Sequence, residues 1–228
     1  MTYKQIVSHV ARTLGMQLDT SAPEGDLIRD WIFAGTVDIA ARTRAGVRAV
    51  DLVIAANTPV HDMSQQIISL LDIEDGAHGF LKRYSREDAT FLQATGKRGY
   101  AYEEPLLWLS PIRAEEGQSV RAYGVFMPRA MDSDDDSPSE PEFGNLSEQF
   151  HSTLVTYCLW KGGEYIEHEQ SGGGERWRVQ YEGQDGSAGE ISKIRRILSK
   201  RVSPAGSRRR DPIGQVGAPS GVLEYLGG

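Results

Sequence analysis

Apolar residues recur at helical spacing at both ends of this chain and at strand spacing in its middle, and that order restricts the fold more than any other feature. Ile6, Val7, Val10 and Leu14 fall on one helical face, as do Leu27, Ile28, Trp31, Ile32, Val37, Ile39 and Ala40. From Val50 the period changes to Val- and Ile-rich stretches broken by Asn57, Pro59 and Gly76, and helical spacing returns after Leu146. Amphipathic helices separated in sequence bury their stripes best against one another. The expected class is therefore α+β. A helical bundle is built from residues 1–49 and 145–202, and a small β-rich unit, 50–130, is inserted between its halves. An acidic flexible loop, 131–144, and an extended C-terminal tail, 203–228, complete the layout.

Local signals place the elements. Thr2 suits the cap of a helix from Tyr3 to about Gly15, and Pro23, Glu24 and Asp26 suit the first turn of a second helix reaching Arg44. "VDLVIAANTPVHDM", "QQIISLLDIED" and Phe80 to Tyr84 read as strands, and Ser85 as the cap of a short helix. "YAYEEPLLWLSP" and "SVRAYGVFMP" read as strands ending at Pro111 and Pro128, joined as a hairpin through "IRAEEGQ". A third helix starts at Asn145 or Ser147 with Phe150, Leu154, Val155, Cys158 and Leu159 on one face, and Gly162 and Gly163 weaken its second half. The fourth, interrupted by Gly183, Gly186 and Gly189, ends on Ile191, Ile194, Ile197 and Leu198.

Composition excludes several classes. The 228 residues, 39% of them hydrophobic, bury one fair core or two small ones. Runs such as Trp31 to Ala34 and Leu106 to Leu109 fall far short of the ~20 residues a membrane helix needs. Met1 to Met16 mixes Lys4, Gln5, His9 and Arg12 among its apolar positions, unlike a secretory leader, so a soluble cytosolic protein with no membrane partner is expected. The net charge of -7 opposes a general phosphate-binding role. Charge is nevertheless uneven: Asp132 to Glu148 holds seven acids and no base, Lys193 to Arg210 eight bases and no acid. Those are two different surfaces.

Catalytic chemistry finds little footing. Gly172 to Gly174 lacks the Lys-Ser or Lys-Thr of a phosphate loop and reads as an inter-helix turn. Glu164 and His168 have the spacing of two metal ligands on a helix, without a visible third. His61 beside Asp62 lacks a nucleophile to serve, and Asp134, Asp135 and Asp136 sit in a segment too loose to cage a hard cation. The single cysteine, Cys158 in "LVTYCLW", reads as a buried apolar group. Trp31, Trp108, Trp160 and Trp177 lie in apolar periodic stretches, which favours packing over base stacking. No catalytic residue, metal or cofactor is expected.

The tail is harder to dismiss. Lys200 and Arg201 complement the negative end of the last helix, but Arg208, Arg209 and Arg210 follow Pro204 and Gly206, where a helix is not expected. Ile213, Val216, Val222, Leu223, Tyr225 and Leu226 are apolar residues that a purely solvated tail does not need. They suit a segment that orders by extending across a partner.

The succession of a helix pair, a sheet unit carrying "LKRYSREDATF" and "YEEPLLWLSPIR", an acidic segment, and closing helices "EQFHSTLVTYCLWKGGEY" and "GEISKIRRILSKR" resembles the head-to-tail adaptor (connector or neck) proteins of tailed bacteriophages, over about Thr2 to Arg201. The glycine-broken fourth helix and the long tail depart from the pattern. The resemblance implies a structural virion protein at the head-tail junction, assembled in the host cytoplasm. It implies a homo-oligomeric ring of about twelve copies on the portal protein, offering a platform to a neck or tail-completion protein while genomic DNA passes through the lumen without sequence-specific binding. Arg208, Arg209, Arg210, Ile213, Val222, Leu223, Tyr225 and Leu226 are then the residues expected to bind portal or adjacent subunit. The rival is a regulatory DNA-binding protein with an N-terminal helix-turn-helix and a basic tail. Against it, the second helix sets Asp30 and Asp38 beside only Arg29, Arg42 and Arg44. A metal-dependent hydrolase using Glu164, His168 and the acidic loop ranks last.

Overall fold

The computed structural model describes residues 1–16, 23–76, 78–112, 117–166, 173–184 and 187–201, which form a mixed structure of helices and small sheets. Helix α1 (Tyr3–Leu14) starts with a reciprocal cap: the Gln5 N–H donates to Thr2 Oγ1, and the Thr2 N–H donates to Gln5 Oε1. Gly15 closes it in the left-handed region. Ile6, Val10 and Ala11 are fully buried. In α2 (Pro23–Thr43) the inward stripe is Ile28, Ile32, Thr36, Ile39, Ala40 and Thr43; the two buried hydroxyls donate to the carbonyls of Ile32 and Ile39, four residues back.

Helix α4 (His151–Ile166) is central. It packs against α1, α2 and α5 (Gly173–Glu182), while α6 (Glu190–Arg201) rests on α2 and α5. The one-sided stripe expected for α4 is corrected: His151 and every residue from Thr153 to Leu159 are buried, because neighbours surround the helix. Its glycines are contact points rather than weak ones. A Cβ on Gly163 would lie 2.7 Å from Gly174 Cα, and one on Gly162 would press on Leu14 and Trp31. Small residues here let backbones approach at van der Waals distance. Tyr157, Trp160 and Tyr181 form an aromatic cluster with centroids 5.3–5.8 Å apart, and the buried Tyr181 hydroxyl donates to Asp38 Oδ2 at 2.6 Å. The single broken fourth helix is also corrected. Gly183, at positive φ, ends α5, and a short hairpin of β9 (Gly183–Gln184) and β10 (Ser187–Ala188) separates it from α6.

The middle of the chain forms two four-stranded sheets where one was expected. The first runs β1–β8–β3–β4, from Arg48–Val53, Ser119–Phe126, Ile67–Asp75 and Gly79–Phe80, all antiparallel. The second runs β2–β7–β6–β5, from Val60–Asp62, Leu106–Ser110, Gly99–Glu103 and Arg83–Tyr84, with β5 and β6 parallel. Leu52, Ile73, Val120 and Ala122 of the first meet Tyr100, Leu107 and Leu109 of the second in one apolar core. Helix α3 (Arg86–Thr95) packs on β6 and β7, with Ser85 Oγ accepting the Asp88 N–H as its cap.

Three strand expectations change accordingly. Phe80 to Tyr84 is divided between the sheets at the buried Leu81, whose N–H donates to Ile73 O. "YAYEEPLLWLSP" folds back on itself at Glu104-Pro105, where Glu103 faces Leu106 and Pro105 has no N–H to extend a ladder. The hairpin through "IRAEEGQ" does not form: β7 and β8 belong to different sheets, and residues 113–116 lie outside those described.

Candidate assembly surfaces

The segment 131–144 is not the loose, charge-extended loop that its composition suggests. Met131, Pro138 and Phe143 are buried, and Pro141–Phe143 makes one 3-10 turn. Asp136 Oδ2 accepts the N–H groups of Asp132 and Ser133, both at 2.9 Å. Its backbone accepts from the start of α1: Tyr3 N–H donates to Asp136 O at 2.7 Å and Lys4 N–H to Asp134 O at 3.3 Å, with Lys4 Nζ 2.8 Å from the Asp134 carboxylate. First-turn N–H groups of a helix lack internal acceptors, and here an acidic segment supplies them. The carboxylates of Asp132, Asp134 and Asp135 remain exposed.

His151, 1% exposed, ties this segment to the helices. Its Nε2 contacts Leu146 O (3.1 Å) and Ser139 Oγ (3.0 Å), and its Nδ1 lies 2.9 Å from the Met1 ammonium. That ring is consistent with a neutral Nε2–H tautomer donating to Leu146 and accepting from Met1. Burial, and then the adjacent ammonium, hold its pKa below the ordinary value. The unfolded chain thus takes a proton first, so the contribution of His151 to stability is flat above pH about 6.5 and falls as pH drops from there toward the folded pKa. His61, whose pKa burial also lowers, adds to that limb with the same sign. Replacing His151 by Gln should lower stability at neutral pH yet flatten the acid limb below pH about 6.5, as read from urea midpoints across pH. An unchanged slope would show that His151 is not held neutral.

The junction between helices and sheets is close. Gly46, at φ +80°, lies with its Cα against Gly144 O; Asn145 Nδ2 donates to Val47 O, and the Arg48 guanidinium donates to Pro141 O while lying 5.5 Å over the Phe126 ring. Burial lowers the Arg48 pKa. On the outward face of the first sheet, Val53 (75% exposed) and Phe80 (54%) flank an Asp51–Arg121 pair at 3.0 Å, and Tyr123 donates to Glu74 at 2.6 Å. This face is exposed and polar, with apolar residues at its margins.

The sequence candidates for chemistry are not brought together. Cys158 is fully buried and desolvation pushes its thiol up. His61 and Asp62 are neighbours on β2, but Asp62 accepts the Ser64 N–H. Glu164 binds Trp160 Nε1 and Lys161, and His168 lies outside the described residues. Among the described residues no group of three or more His, Cys, Asp or Glu is placed to hold a metal ion, and no helix is long and apolar enough to cross a membrane. Trp31, Trp160 and Trp177 are half-buried against the helical core, and Trp108 is half-buried with the Arg86 guanidinium 5.6 Å over its ring. The expected partner-binding set, Arg208, Arg209, Arg210, Ile213, Val222, Leu223, Tyr225 and Leu226, lies outside the described residues. Nothing local in the sequence signals the contacts of His151 and Gly46, and Phe143, a bulky apolar residue in an acidic stretch, is the one hint that this segment packs.

No curated protein matches the chain. A family model, that of the SU10 adaptor protein, matches residues 1–209, which takes in every described element and reaches the first two arginines of the tail. The chain therefore belongs to the SU10 adaptor protein family, and it is a structural bacteriophage adaptor of the virion.

Proposed function

We propose that the protein forms a ring on the phage portal, about twelve copies around, that joins the capsid to the neck or tail-completion protein and lets genomic DNA pass through its lumen. Family membership over residues 1–209 carries this reading. Residues 1–49 and 145–202 act as a helical bundle forming the ring wall, and 50–130 as a sheet unit that presents the Val53 and Phe80 face to the next component. The ring assembles in the host cytoplasm, performs no catalysis and binds no cofactor. A net charge of -7 suits a channel through which phosphates slide. Many weak, repeated contacts hold such a ring.

The tail supplies the clasp. Arg208, Arg209 and Arg210 pair with acids of the portal or adjacent subunit, and Ile213, Val222, Leu223, Tyr225 and Leu226 enter its pockets as an extended segment. Co-sedimentation of the full chain with portal rings tests both parts of the reading. The full chain should pellet with the portal, and the chain lacking Pro204 to Gly228 should bind at least about tenfold more weakly, since several anchors are lost together. No binding by the full chain would refute the adaptor-on-portal reading, whereas equal binding by both would refute only the tail's part in it.

A further inference from the structure

We propose that Lys193, Arg196 and Ile197 on α6 of one copy dock on the Asp132–Asp135 segment of a second copy, and that this head-to-tail contact closes the ring; the inference rests on the ring reading above.

On α6, Ile191 and Ile194 are buried against the helical body and Leu198 packs partly on it, which leaves Lys193, Arg196 and Ile197 exposed. Lys193, Arg196 and Ile197, at i, i+3 and i+4, make one exposed strip. Neither cation has an ion-pair partner among the described residues, whereas Lys161 has one and Arg42 and Arg178 have two each. Two unpaired cations beside an isoleucine that is 39% exposed, in a chain of net charge -7, call for an acidic partner with an apolar component. Bare phosphates would not use Ile197.

The acidic segment has that chemistry. Asp132 and Asp135 are exposed and have no ion-pair partner among the described residues, and Tyr3 is half-buried beside them. The segment is held in shape by Asp136 and by the N–H groups of Tyr3 and Lys4, so little ordering is left for binding to supply. Placement agrees with charge. Helix α6 rests on α2 and α5, where Arg195 Nε donates to Arg42 O at 2.6 Å, whereas the acidic segment adjoins the first turn of α1 through Tyr3 and Lys4. Both lie near the end where α2 stops and α4 begins. A head-to-tail contact between two different patches of one chain generates a closed ring when the rotation between copies closes.

Two full-length variants test it, Asp132→Lys with Asp135→Lys and Lys193→Glu with Arg196→Glu, each first checked for a native melting curve; ring formation on the portal is then counted in negative-stain images. Each variant alone should need at least about tenfold more protein than the native chain, because like charges face each other at every contact. An equimolar mixture should recover assembly, since alternating copies pair native acids with native bases and reversed with reversed. If a reversal melts early, Lys193→Gln with Arg196→Gln takes its place and should weaken assembly without a recovering partner. A native ring that neither reversal weakens, a mixture no better than its parts, or reversals that abolish only binding to duplex DNA would overturn this interface alone. A native chain that never becomes annular would instead overturn the ring reading itself.

Discussion

Replacing Gly163 by alanine should lower stability by about 2–3 kcal/mol, the cost of overpacking a tight contact, although alanine at an open helical site gains about 1 kcal/mol over glycine. The sign reverses because of what the new methyl meets. It would lie 2.7 Å from Gly174 Cα and 2.8 Å from Gly174 N, and a Cβ on Gly174 would in turn lie 2.9 Å from Glu164 N. Backbone stands on both sides, so no rotamer change relieves the clash. Helices α4 and α5 must separate, and the Tyr157–Trp160–Tyr181 cluster and the Tyr181–Asp38 hydrogen bond open with them. Thermal unfolding followed by circular dichroism reads the effect as a Tm several degrees lower. An unchanged or raised Tm would show that the crossing is looser than described.

Replacing Gly46 by alanine should cost about 3 kcal/mol, from left-handed backbone strain together with a methyl driven into a carbonyl. The residue sits at φ +80°, and its Cβ would strike Gly144 O. Because that carbonyl belongs to the turn carrying Asn145 and following Pro141, the strain reaches the contacts that seat β1 on the helices, Asn145 to Val47 and Arg48 to Pro141. A urea titration should show a lower midpoint with an unchanged slope, and amide exchange should quicken first at Val47 and Asn145. A native midpoint would mean that the junction yields without loss, and the helices and sheets would then be less firmly joined than these contacts indicate.

Which parts of this fold were readable depended on the range of the interaction. Thr2, Gly15, Ser85 and Gly96 act within one helical turn, and α1 and α3 begin and end where such residues dictate. Strand pairing acts over long separations: β1 pairs with β8 some seventy residues later, as the Asp51–Arg121 ion pair marks, and nothing local tells β8 to bypass its neighbour β7. Hence local pattern alone suggests one sheet where two form. The order of the acidic segment is hidden in the sequence for a related reason. Composition reports its repulsive side chains, but its order comes from backbone carbonyls that accept from Tyr3 and Lys4, which are remote in sequence. In α4, Thr153 and Thr156 look like an outer face by hydropathy, yet they are buried because α1, α2 and α5 surround the helix. Glycine was ambiguous throughout: Gly183 ends a helix, whereas Gly163 permits a crossing, and only the neighbouring backbone distinguishes the two.

Cryo-electron microscopy of the full chain mixed with its portal tests the adaptor account most directly. A closed ring of copies coaxial with the portal, its central opening wide enough for duplex DNA, is the predicted image. Portal rings that stay bare beside free single copies, at concentrations well above those of virion assembly, would contradict it.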